Sequence, residues 1–172
     1  PFFRALGSVE LERIRTFLQG LSSSFVRFEV RNPVYEQVQV RCTVKFVGGV
    51  SDGVYINRLN KAISDYICPW QEQGYKARFG WNIRQKEIES YIRDLDYVDF
   101  VTNFSMLHIS VDGAEHYTLF DSAARQVSND AQIRPHYPWS LVMPAKSHYV
   151  ETIQNAHSIK AEWTGVNELE IG

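Results

Sequence analysis

Asp94, Asp96 and Asp99 fall within six positions, and His108 follows nine residues later. This is the densest group in the chain that could do chemistry. Carboxylates so close together could hold a hard cation, and a carboxylate beside an imidazole could share general acid and general base roles. Their spacing does not match an EF-hand loop, and an acidic run of this kind is ordinarily the solvated end of a helix. The five histidines, His108, His116, His136, His148 and His157, show no HxxxH or HxH spacing and join no Cys or carboxylate cluster, so they read as surface or hydrogen-bonded residues. Cys42 and Cys68 have no CxxC spacing and no partner framework. They read as reduced core thiols, which suits synthesis in a reducing compartment. The chain carries neither a Gly-x-Ser-x-Gly elbow nor a GxxxxGK[ST] phosphate loop. Lys76-Ala77-Arg78-Phe79-Gly80-Trp81 places aromatics beside a glycine, as an RNA-recognition strand does, but the wider basic and aromatic pattern is missing. Phe79 and Trp81 therefore read as core or interface residues. No catalytic, cofactor-binding or metal-ligating residue is assigned from these patterns.

Composition narrows the partners. The 172 residues are 44% hydrophobic and 22% charged with a formal net charge of −2, values of an ordinary globular chain and not of a disordered one. A chain of this size buries roughly 70% of its unfolded surface, enough for a core without staples. No cluster of Lys and Arg tracks a phosphate backbone, so nucleic acid is not an expected partner. No apolar run approaches the length of a membrane span, and the first residues lack a signal-peptide pattern. Aromatics make up 13%, a richness that interfaces as well as cores can absorb. A chain beginning with Pro1 is expected to be a fragment of something longer.

The elements that would position these residues follow from periodicity. Val38, Val40, Cys42, Val44 and Phe46 alternate with Gln39, Arg41, Thr43 and Lys45, which predicts a half-buried central strand over 32–46 with Pro33 stiffening its entrance. Before it, Ser8 is the expected cap of a helix with Glu10 and Glu12 in its first turn and an apolar stripe of Leu11, Ile14, Phe17, Leu18 and Leu21. A short strand is expected over 25–30. After Gly48-Gly49, a helix capped by Ser51 or Asp52 turns Ile56, Leu59, Ile63 and Ile67 to one side and stops before Pro69. A short strand over 74–81 and a second helix over 83–95 come next. Asn82 and Gln85 have capping-box spacing there, and Ile88, Tyr91, Ile92 and Leu95 form the stripe. A long strand is expected over 97–111, with Val98, Phe100, Thr102, Phe104 and Met106 on one face and Asp99, Val101, Asn103, Ser105 and Leu107 on the other. Asp112-Gly113 then turns it into a return strand over 116–120.

The expected fold class is α/β, with α+β left open. It comprises a mixed sheet with two helices on one face, an N-terminal helix, and a C-terminal extended or β-hairpin appendage. Helical crossovers imply that part of the sheet is parallel. The domain reading is 1–31 for the helix and connecting strand, 32–121 for the core, and 122–172 for an extended arm. Within the arm, the stretch 133–144 holds Tyr137, Trp139, Leu141 and Met143 between Pro135, Pro138 and Pro144, which excludes a helix or a central strand. These side chains must strap across their own domain or be offered to a neighbour. Tyr137, Trp139, Leu141 and Trp163 are the candidate interface residues.

An ordered series of motifs carries a family resemblance. Asn32-Pro33-Val34-Tyr35-Glu36 opens it, followed by Leu59-Asn60-Lys61-Ala62-Ile63, Cys68-Pro69-Trp70, Phe79-Gly80-Trp81 and the run Tyr97-Val98-Asp99-Phe100-Val101-Thr102-Asn103-Phe104-Ser105-Met106. Pro138-Trp139-Ser140-Leu141-Val142 closes it. The series resembles the C-terminal region of baseplate J-like proteins, the wedge subunits of contractile phage tails and extracellular contractile injection systems. The resemblance implies a non-enzymatic subunit, assembled in the bacterial cytoplasm, that joins other wedge subunits in a ring around hub and spike. It further implies contacts with sheath-proximal proteins and a coupling of target contact to sheath contraction. The chain departs from the family pattern in lacking a long N-terminal part and in matching loosely at Ala145-Lys146-Ser147-His148. Two other classes stay open: a hydrolase or transferase domain using Asp94, Asp96, Asp99 and His108, and a small ligand-binding module. A pocket gathering those carboxylates and a histidine would mark the enzyme, whereas an apolar patch at Tyr137, Trp139 or Trp163 would mark assembly.

Overall fold

The alternation over 38–46 becomes the middle strand of a five-stranded sheet in a computed structural model that describes residues 5–49, 51–71, 79–111, 117–124 and 131–153. In chain order the elements are helix α1 (Ser8–Gly20), strand β1 (Val34–Phe46), helix α2 (Asp52–Ile67), short strand β2 (Ile83–Arg84), helix α3 (Gln85–Arg93) and strands β3 (Val98–Val111) and β4 (Tyr117–Asp121). A 3-10 turn at Ser122–Ala124 follows, then strands β5 (Gln132–Ile133), β6 (Ser140–Pro144) and β7 (Tyr149–Thr152). The main sheet has the order β4-β3-β1-β6, with β7 also against β1, while β2 and β5 pair in a small ladder of their own. The fold is α/β with a mixed sheet, as the periodicities imply.

Both central helices cover one face. Leu59, Ile63 and Ile67 of α2 and Ile88 and Ile92 of α3 are fully buried in a single cluster with Val38, Val40, Cys42 and Val44 of β1, and Trp81, Ile83, Met106, Ile133 and Val142 close its edges. Each large aliphatic side chain so buried stabilises the fold by about 2 kcal/mol through loss of water contact. Pro69 lies just past α2, which ends at Ile67 with the Cys68 N–H bonded back to the Ser64 carbonyl. Gly80 has φ +67, a left-handed turn that suits a residue without a Cβ and turns the chain into buried Trp81.

Several expectations are corrected. Residues 26–33 form no strand, and the strand expected over 74–81 lies mostly outside the described residues, its visible end being a turn at Phe79-Gly80. Helix α3 starts at Gln85, because Ile83 and Arg84 are taken by pairing with Ile133 and Gln132. The capping box does not form: Asn82 Nδ2 donates to Gln132 Oε1 at 2.8 Å and Gln85 Nε2 donates to the Phe104 carbonyl at 3.2 Å. Helix α1 is capped by Gly7 and not by Ser8. The even alternation expected of β3 is broken by two register shifts against β1, one near Asn103, whose φ is 50, and one beside Phe46. They turn Val101 inward and leave Phe100 40% exposed. The helices do not join parallel strands. Two successive helices return the chain to the end of β1, so that β3 starts beside Phe46 and runs antiparallel, and the parallel pairs are β1 with β6 and β7. Strands β6 and β7, read from the sequence as part of the arm, therefore lie within the sheet, with β6 on its edge. The return strand β4 pairs with β3 as expected, its connecting turn lying outside the described residues.

Candidate functional site

The buried parity of β1 extends back beyond Val38 to Glu36, a carboxylate with no exposed surface. His108 on β3, opposite Val38 in register, places Nε2 2.7 Å from Glu36 Oε2. The His136 N–H donates to both carboxylate oxygens at 2.9 and 3.0 Å, and the Tyr137 N–H reaches Oε1 at 3.3 Å. Burial pushes the Glu36 carboxyl upward, but His108, the His136 N–H and the Ser140 hydroxyl together outweigh it and hold it below the usual carboxylate value. Glu36 is thus ionised and accepts only, so the shared hydrogen belongs to His108 Nε2. The rings of Trp81 and His108 lie nearly perpendicular with centroids 5.7 Å apart, and Trp81 donates Nε1–H to the Ser140 carbonyl at 3.2 Å. The Ser140 N–H in turn donates to the Tyr137 carbonyl at 3.1 Å. With its oxygens occupied by these donors, the carboxylate anchors the proline-flanked turn to the sheet.

That anchoring decides what the turn displays. The rings of Tyr137 and Trp139 stack with centroids 5.2 Å apart, and the Arg31 guanidinium lies 4.3 Å from the Trp139 ring centre. Both aromatics are half-buried, as is Leu141, which pairs with Tyr35 at the start of β6. Of the four candidate interface residues, the structure brings Tyr137, Trp139 and Leu141 to one sheet edge; Trp163 lies outside the described residues.

The acidic group is dispersed. Asp94 ends α3, Asp96 pairs with Arg58 at 3.3 Å, and Asp99 pairs with Lys45 at 3.1 Å, all at the surface. His108 stands nine strand residues beyond Asp99, roughly 30 Å at the usual rise. A cleft of about 460 Å³ lined by His108, Ser110, Thr118, Phe120 and residues 132–136 contains none of the three aspartates. Among the described residues no group of three His, Cys, Asp or Glu side chains could hold a metal ion. Cys42 is buried, with its thiol pushed up to about 12 by burial, and Cys68 is half-buried; both are free.

Among the described residues, exposed apolar side chains gather where the N-terminal stripe was expected to pack. Helix α1 buries no residue: Val9, Ile14, Phe17 and Leu21 are exposed, as is Phe25 just beyond it at 96%. Side-chain bonds secure its surroundings, with Asn32 bracketing the Leu6 backbone through donor and acceptor at 2.8 Å each, and Gln19 donating to the Val26 carbonyl.

Sequence reasoning missed Glu36 and His148. The signal for Glu36 was its parity with Val38; its polarity concealed it. His148 carried no local signal.

The family model of PVC11-like baseplate proteins matches residues 3–123, from α1 through β4. No curated protein matches the chain. Among solved structures, a chain from the cryo-EM structure of the anti-feeding prophage baseplate, six-fold symmetrised, superposes with a TM-score of 0.57 at 15% identity over 83% of this chain, a likeness of fold. This chain spans about a quarter of that one, the match covering 26% of its length. Among the described residues no helix is long and apolar enough to cross a membrane. With a model match over well over half its length, the chain belongs to the PVC11-like baseplate protein family.

Proposed function

We propose that this baseplate protein of a contractile injection system serves as a wedge-type structural subunit. It joins neighbouring baseplate subunits in a ring around the hub, contacts sheath-proximal proteins, and helps couple target contact to sheath contraction. The observation that carries this reading is the apolar face of α1, with Val9, Ile14, Phe17 and Leu21 exposed on a helix whose Leu11 and Leu18 are only half-buried. A stripe of this size is costly to leave in water and is the kind of surface that assembly covers. Residues 1–31 then act as an assembly arm on the sheet domain, and the pinned Tyr137–Trp139 stack offers a second, smaller contact. The role is structural, and assembly takes place in the bacterial cytoplasm.

The test is a double variant, Ile14→Asp with Phe17→Asp. Because neither residue is in the core, thermal unfolding should shift by the equivalent of no more than about 0.5 kcal/mol. Incorporation into particles, read by electron microscopy and by co-purification with other baseplate proteins, should fall sharply. Trp139→Ala should act in the same direction, with a loss of ~2 kcal/mol, about 30-fold in affinity, if the stack is a contact. Normal incorporation of the double variant would overturn the reading.

A further inference from the structure

The edge of β1 opposite β3 is served by two strands in succession. Val34 to Val38 pair with β6, and Arg41 to Val44 pair with β7. Between these runs β1 advances from Val38 to Arg41 while the edge advances from Pro144 to Tyr149, so the edge carries two extra residues and the ladder is interrupted. The Ala145 N–H still reaches the Val38 carbonyl at 2.9 Å, but no carbonyl is in place for the next inward donor, the Val40 N–H. His148 supplies the acceptor with its side chain: the Val40 N–H donates to Nδ1 at 3.0 Å.

A backbone N–H can only donate, so Nδ1 must be bare and the ring hydrogen must sit on Nε2. There it points to Ser64 Oγ on α2 at 3.2 Å. The His148 backbone N–H donates to Asn60 Oδ1, also on α2, at 2.7 Å. One buried imidazole, only 5% exposed, thus joins β1, the β6–β7 connection and α2.

We propose that His148 is a proton-controlled latch: the neutral ring completes the β1 ladder and holds β7 against the sheet, and a second proton on the ring releases β7. Protonation at Nδ1 would set two N–H groups head to head, so the charged ring has to leave the ladder. Among the described residues no charge nearby offsets this. On β1, Arg41 is paired with Asp121, and Cys42 is a neutral thiol. On α2, Lys61 and Asp65 pair with each other at the surface, and Asn60 and Ser64 are uncharged. On the connection itself Lys146 is exposed and Tyr149 bonds Glu151. Burial alone lowers His148 from its ordinary value to about 4. Its value in the released strand is the ordinary one, so opening is favoured by up to about tenfold per pH unit as pH falls from about 6.5 towards 4. At neutral pH the latch is closed.

The test is amide hydrogen exchange on the 172-residue chain between pH 7.5 and 4, expressed as protection over the intrinsic rate, in wild type and in His148→Gln. The Gln amide can accept from Val40 and donate to Ser64 without titrating. In wild type, protection of the Val40 N–H and of the Ile153 N–H, which donates to the Val44 carbonyl, should fall up to about tenfold per unit below pH 6.5 while amides between β1 and β3 hold. In His148→Gln it should be flat. A flat wild-type profile, or the same slope in the variant, overturns the latch. Should the variant fail to fold, nitrogen NMR of the wild-type ring decides. A neutral ring at pH 7 with hydrogen on Nε2, and amide loss that tracks ring protonation, supports the latch. An Nδ1–H tautomer, a charged ring at pH 7, or ring titration without amide loss overturns it.

Discussion

Glu36 shows how one residue can hold a segment a hundred positions away. Its carboxylate sits on the buried face of β1 and draws in the imidazole of His108 and the backbone of His136 and Tyr137. A buried carboxylate is tolerable only with such donors, and removing it strands them. Glu36→Ala should therefore destabilise the protein by roughly 3 kcal/mol, measured by denaturant unfolding. It should also loosen the Tyr137–Trp139 turn, visible as a change in Trp fluorescence before the main transition. A loss below about 1 kcal/mol would mean the anchor is dispensable. The parity that makes Val40 a core residue also makes Glu36 buried. Local pattern could not announce this, because the groups that make its burial affordable arrive from distant parts of the chain.

At the scale of elements, β1 was the most legible, while the strand expected over 25–30 does not form at all. The period-2 alternation fixes which side chains share a face, and a one-residue slip would expose them all. Val44 has no exposed surface and Thr43 beside it is half-buried on the other face. Val44→Asp should cost on the order of 4 kcal/mol or more, by burying a charge without a partner, whereas Thr43→Asp should stay within about 1 kcal/mol. Comparing the two melting temperatures checks the register, and an inverted order would refute it. For α1 the same kind of reasoning located the stripe but could not say what covers it, since amphipathicity specifies a face and not its neighbour. For β3 the alternation misled before Phe104: the bulges that turn Val101 inward arise from pairing with β1, and pairing is not written in the spacing of one strand.

For the whole molecule, two buried groups set the response to acid, and both signs point the same way. His148 has a folded value of about 4, below its ordinary 6.5, so the unfolded chain binds the proton first and stability drops as pH falls across that window, by on the order of 3 kcal/mol. Glu36 has a folded value below the ordinary carboxylate one. Its contribution is complete above the unfolded value and is lost as pH falls through the folded one. Unfolding free energy should thus be level above about pH 7, decline from about pH 6.5, and decline again in the carboxylate range. Denaturant titrations in steps of pH measure this, with His148→Gln expected to remove the first decline alone. A stability level down to pH 4 in wild type would contradict it.

Period and punctuation in the sequence by themselves determined the half-buried strand through residues 38–46, the helix faces carrying Leu59, Ile63, Ile67, Ile88 and Ile92, the return of β4 on β3, and the edge character forced on 133–144 by its prolines. These depend on residues within a few positions of each other, and local geometry repeats faithfully. Only the tertiary structure decided that β1 and β3 run antiparallel while β6 and β7 run parallel to β1, that Asn82 and Gln85 spend their side chains on distant partners, and that Asp94, Asp96 and Asp99 lie far from His108. It also decided that Glu36 and His148 are buried. Each of these outcomes depends on which distant groups are brought within a hydrogen-bond length, and that is set by how the helices return the chain to the sheet.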